Sequence, residues 1–183
     1  MREGQQRTSD NGEEVMGCDI HFVVEKKAAP GRWVGVYASD YGTYDGRLLS
    51  KKRNYCFFAE LASVRGESSQ GRQPLGLPED MSDLTGLLAN GPTWTSDGHS
   101  FSYISAPEFL SAYRAALILE IEYYRSAVHP IIQKSADELE ERLKEIDGDP
   151  AEFCQQMLGF YPSDEPVYGE KEEDFRVVFW FDN

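Results

Sequence analysis

Phe175-Arg176-Val177-Val178-Phe179-Trp180-Phe181 is the stretch on which the fold turns. It is short, rich in aromatic and β-branched residues and apolar at nearly every position, the composition of a strand buried on both faces and hence placed inside a sheet. A central strand needs neighbours, and the other end of the sequence supplies one. From Gly17 to Lys27 the chain alternates, with Cys18, Ile20, Phe22 and Val24 on one face and Asp19, His21, Val23 and Glu25 on the other, the period of a half-buried strand. Pro30-Gly31 turns it into a second strand, Arg32 to Tyr37.

Between these strands the periodicity is helical. Ser105-Ala106-Pro107-Glu108 is a capping box with proline in the first turn, and Phe109, Tyr113, Ala116, Leu117, Ile121 and Tyr124 follow on one stripe until His129-Pro130. Ser135-Ala136-Asp137-Glu138 starts a more charged helix that runs to about Ile146, and Asp149-Pro150 opens a short one that ends at Gly159. Tyr55 to Arg65 suits a further short helix. Ala38 to Lys52, Gly66 to Pro78 and the acidic run Asp164 to Asp174 read as loops, and residues 1–15 as a mobile leader. The expectation is an α+β fold: an antiparallel sheet from an N-terminal hairpin and a C-terminal strand, packed against a long central helix and shorter ones. Residues 16–183 should form one domain, since 183 residues suit a single core better than two.

Composition narrows the function. The chain is 40% hydrophobic and 27% charged, as globular proteins are, and no apolar run approaches the roughly 20 residues of a membrane span. With no signal-peptide pattern at the start, a cytoplasmic location and no membrane partner are expected. Cys18, Cys56 and Cys154 are three and widely spaced, which gives neither a disulfide framework nor a metal knuckle. The net charge of −14 is uneven: residues 1–75 hold 11 Lys+Arg against 10 Asp+Glu, residues 76–183 hold 7 against 22. Such a balance argues against duplex nucleic acid, which needs a row of cations, but leaves room for one phosphorylated small molecule in a local basic pocket.

Two Asp-His pairs stand out. Asp19 and His21, at i and i+2 of the first strand, leave one face about 7 Å apart. Asp97 and His99 flank Gly98, which permits a tight turn before Ser100. The four could accept from and donate to a ligand, or act on it with or without a metal; both pairs could equally be solvated surface. Tyr44, Arg53, Asn54 and Tyr55 interleave rings and polar groups in the manner of nucleotide pockets, and Arg65 closes the apolar segment that follows. Trp94, after Gly91-Pro92, could line a pocket or plug the core. Standard signatures fail: Gly66 to Gly71 has P-loop glycine spacing, but Arg72-Gln73 stands where Lys-Ser/Thr is required.

Met16-Gly17-Cys18-Asp19-Ile20-His21, Arg53-Asn54-Tyr55, Phe58-Ala59-Glu60-Leu61-Ala62-Ser63-Val64-Arg65, Gly76-Leu77-Pro78-Glu79-Asp80 and Asp97-Gly98-His99-Ser100 together resemble an uncharacterised family of small phage-encoded proteins that begin Met-Gly-Cys-Asp-Ile-His. The resemblance covers about residues 16–105. The chain departs from that pattern by the 15 residues before Met16 and by Phe101 and Tyr103, where a second histidine and a tryptophan would be expected. What the resemblance implies is origin, a phage accessory gene, rather than chemistry.

The expected function is therefore a non-enzymatic pocket that sequesters a small phosphorylated, nucleotide-like ligand, such as a signal of host immunity. No catalytic residue, metal or cofactor is assigned. Arg53 and Arg65 would hold phosphates, Asp19 and Asp97 would accept from hydroxyls or amines, His21 and His99 would donate, and Tyr44, Tyr55 or Trp94 would stack, with Asn54 and Ser100 beside them. Such pockets often form between subunits, which makes a homo-oligomer the expected assembly. A metal-dependent or acid/base hydrolase of the same ligand, and an acidic inhibitor of a host nuclease or DNA-binding protein, are the competing expectations.

Overall fold

A computed structural model of the chain describes residues 17–29, 31–38, 54–91, 97–127, 130–149 and 172–182. The expected leader, nearly all of the expected loop with Tyr44, and Arg53, Trp94, His129 and the expected short helix after Asp149-Pro150 lie outside them. Four strands, β1 (Asp19–Ala29), β2 (Arg32–Ala38), β3 (His99–Ser105) and β4 (Phe175–Asp182), form one antiparallel sheet in the order β2-β1-β4-β3. The aromatic run at 175–181 occupies the middle, as its composition requires, with Asp19 opposite Asp182 at one end and Lys26 opposite Phe175 at the other.

The helices are α1 (Tyr55–Ala62), α2 (Asp83–Ala89), α3 (Ala106–Ser126) and α4 (Pro130–Gly148). The α+β architecture with a long central helix is as the periodicity indicates. Ser105 ends β3 and caps α3 through the full capping box with Glu108. α1 stops earlier than Arg65 because Ser63 turns left-handed at its C-cap (φ 54°), and α4 starts five residues before Ser135, at Pro130.

The two faces of the sheet are covered differently. On one, Phe22, Val24, Phe179 and Phe181 meet Phe57 and Phe58 of α1 and Phe109 and Tyr113 of α3. Ring pairs lock this layer edge to face, Phe57 on Phe109 at 5.2 Å and Phe58 on Phe181 at 5.1 Å. α4 packs outside α3, where Ile146 and Ala136 are buried and Arg125 bridges Asp137 and Glu140 at the surface. On the opposite face Val23 and Trp180 meet Leu84, Leu88 and Ala89 of α2, together with Leu77 and Phe101. β1 is therefore covered on both sides and not half-buried: His21 is 3% and Glu25 0% exposed, because α2 and the segment leading into it shield the face that the alternation marks as polar.

Candidate ligand cleft

The predicted site residues gather at one end of the sheet but on both of its faces. Asp19 and His21 start β1, His99 and Ser100 start β3, and both segments flank the end of β4. His21 lies opposite Trp180, its ring stacked on the indole at 5.8 Å and its Nε2 3.0 Å from Asp182 Oδ2. His99 lies opposite Phe181 and stacks on that ring at 6.1 Å, with Nδ1 2.9 Å from Ser100 Oγ. Trp180 and Phe181 are consecutive and belong to the cores on opposite faces, so the two histidines leave opposite sides of the sheet. A bulge between His99 and Ser102, with Ser100 at φ 52°, brings this about: His99 joins the side of Phe181, while Phe101 stacks on Trp180 at 6.1 Å.

The other nominated residues have structural partners. Asn54 Oδ1 caps α1 by accepting from the Phe57 amide at 2.9 Å, and its side chain also bonds Glu120, whose pKa burial raises. Tyr55 is exposed and meets Phe58 edge to face at 5.7 Å. Arg65 hydrogen-bonds the Cys18 thiol; burial nonetheless keeps that thiol above its ordinary pKa, so it is a packed group rather than a nucleophile. Asp97 is exposed on its turn. Tyr44, Arg53 and Trp94 lie outside the described residues. Among the described residues, no group of three or more His, Cys, Asp or Glu is arranged to hold a metal.

The opposite end of the sheet holds a cleft of about 510 Å³, within the usual range for small-molecule sites. β2 contributes Trp33, β3 contributes Ser102 to Ser105, β4 contributes Phe175 and Arg176, and the 72–75 segment and Glu108 of α3 complete the wall. Its deepest charged group is already satisfied. Arg176 donates to Glu25 Oε2 at 2.6 Å, to Asp80 Oδ1 at 2.7 Å and to the Asp80 carbonyl at 3.1 Å, and its guanidinium lies between the rings of Trp33 (4.1 Å) and Tyr103 (5.7 Å). Burial works against an ionised Glu25, yet hydrogen bonds from Thr85, Ser82 and Arg176 outweigh it and hold the carboxyl below its ordinary pKa. Trp33 Nε1 donates to the second oxygen of Asp80 at 3.0 Å. This network fixes the aromatic wall.

The rim is less committed. The 68–76 segment is tied down by the buried Glu60 carboxylate, which accepts from the Ser69 amide and hydroxyl at 2.8 Å each, and by Gly76, whose amide donates to the Phe101 carbonyl at 2.8 Å with φ 83°. This course carries Arg72 to the cleft. Among the described residues its guanidinium makes one long hydrogen bond, from Nη1 to the Glu60 carbonyl at 3.4 Å, which leaves most of its five donors for a ligand. Glu108 faces it, held ionised by the Ser105 hydroxyl and amide, which keep its pKa below the usual carboxylate value. The sequence reading missed Trp33, Arg72, Tyr103 and Glu108 as a group; the one available signal was that Arg72 is the sole cation between Gly66 and Pro78.

No helix among the described residues is long and apolar enough to cross a membrane. Comparison with protein-family models, with curated proteins and with solved structures gave no match, so what can be said of this chain's function comes from its own geometry.

Proposed function

We propose that this protein binds a small phosphorylated, nucleotide-like ligand in the cleft and holds it without changing it chemically. The observation that carries the reading is the division of labour between two arginines: Arg176 is consumed in building an aromatic wall from Trp33 and Tyr103, while Arg72 reaches the same cleft with donors to spare. A base would stack on the wall, ribose hydroxyls would donate to Glu108, and the phosphate would sit at Arg72. The binding function expected from the sequence is kept; its place moves from the histidine end of the sheet to the opposite end. If the likeness of residues 16–105 to phage proteins reflects origin, the ligand is a nucleotide signal of host immunity, the setting is the cytoplasm of an infected cell, and the effect is sequestration.

The test is to incubate the protein with cyclic dinucleotides, cyclic mononucleotides and cyclic ADP-ribose isomers, remove unbound material by gel filtration, denature with heat and chromatograph the supernatant. Intact ligand released only on heating supports the reading. A converted ligand would replace sequestration with catalysis, and an empty supernatant for every candidate would overturn it.

A further inference from the structure

We infer that the cleft selects nucleotides whose phosphate carries a single negative charge, the cyclic phosphodiesters, over monoesters and polyphosphates. This rests on the cleft being the nucleotide site and goes beyond it by fixing the charge the ligand can carry. Few charged groups surround this small volume, and their balance decides what enters. Arg176 is not available to an incoming anion: its guanidinium donates to two carboxylates, Glu25 and Asp80, and is covered by the Trp33 and Tyr103 rings. Among the described residues Arg72 is the remaining cation of the lining, and the same lining presents the carboxylates of Glu108 and Glu173. One guanidinium can match a phosphodiester, with its one charge and two free oxygens, through a forked pair of hydrogen bonds.

Each further charge on the ligand finds no second free cation among the described residues of the lining. A monoester phosphate carries about 1.5 to 2 negative charges at neutral pH, and the surplus faces the like charge of Glu108, which repels it. The protein as a whole adds to this, with a net charge of −14. A nucleoside without phosphate stacks equally well but leaves Arg72 unused. The expected order of affinity is therefore cyclic monophosphate, then nucleoside or monoester, then triphosphate, with about a tenfold or larger gap between the first and the last.

Calorimetric titration of the full chain with adenosine, 3′,5′-cyclic AMP, 5′-AMP and ATP, and with the guanosine series, reads that order directly. Two variants assign it. Arg72→Gln should bring the cyclic phosphodiester down to the affinity of the bare nucleoside. Glu108→Gln keeps a residue that serves a capping box equally well, so the fold is retained, and it should narrow the gap between cyclic AMP and ATP severalfold; a far-ultraviolet spectrum and melting curve of each variant exclude unfolding as the cause. ATP binding as tightly as cyclic AMP, or a gap that Glu108→Gln leaves unchanged, would overturn the inference while the cleft reading stands. Absence of binding by every member of both series would remove the cleft reading itself.

Discussion

Glu25 shows what a single residue can conceal in sequence. Its alternation places it on the polar face of β1, and there a glutamate ordinarily faces water; here it is fully buried, and the reason is a partner 151 positions away, Arg176. No local pattern encodes that pairing: Glu25 looks like an outward-facing position of its strand, and Arg176 is the one charged residue in the run 175–181, with nothing nearby in sequence to name its partner. Removing one member strands the other's charge in the interior, so Arg176→Met should destabilise the protein by about 3–5 kcal/mol, measured by urea denaturation. Replacing both, Arg176→Met with Glu25→Gln, should cost clearly less than the two single changes added together. The pH dependence has a definite sign. Since the folded-state pKa of Glu25 is depressed, its contribution is fully present above the unfolded carboxylate value of about 4.3 and is lost as pH falls through the folded value. Acid unfolding should thus begin below about pH 4 in the native protein, and a stability curve that stayed flat there would contradict the assignment.

At the level of elements, β1, β2, α3 and β4 are marked cleanly in the sequence, β1 and α3 by the period of their larger-core face and β4 by its unbroken apolar run at 177–181. The two that the sequence does not mark, α2 and β3, supply Leu84, Leu88, Ala89 and Phe101 to the second, smaller core around Val23 and Trp180. α2 spans seven residues, too short to display a helical stripe, and holds its place through Ser82, which caps it by accepting from the Thr85 amide at 3.2 Å. β3 sits between a glycine turn and a capping box, whose strong signals mask the alternation of Phe101, Tyr103 and Ser105 with Ser102 and Ile104. Because these unread elements carry or position the cleft wall, the candidate site was harder to see than the fold. Gly35 tests how closely α2 docks: a Cβ there would lie 2.7 Å from Leu84 Cβ and Cδ2. Gly35→Ala should therefore cost about 1–3 kcal/mol by pushing α2 from the sheet, and Leu84→Ala in the same chain should recover part of it. If Gly35→Ala melts like the native protein, α2 does not dock against β2 this closely.

For the whole molecule the decisive fact is that the middle of the sheet comes from its C-terminal segment. β4 pairs with β1 along eight registered positions and with β3 on its other side, so the two cores share one strand whose partners lie some 80 and 150 residues earlier in the chain. Local contacts can form α1, α3 and the β1–β2 hairpin at small entropic cost, but a two-stranded hairpin is marginal alone, and the aromatic layer that α1 and α3 present has nothing to cover until β4 arrives. Folding should therefore be one cooperative event rather than the stepwise closing of an N-terminal half. A chain that ends at Asp174 should keep fluctuating helix at most, without the dispersed amide spectrum of a packed protein, and should regain it when a synthetic peptide of residues 175–183 is added. The rescue arm separates a missing central strand from a general folding defect. A truncated chain that still melted cooperatively by itself would mean that β1 and β3 can close the sheet without the strand between them, and β4 would then lose its place as the element on which both cores depend.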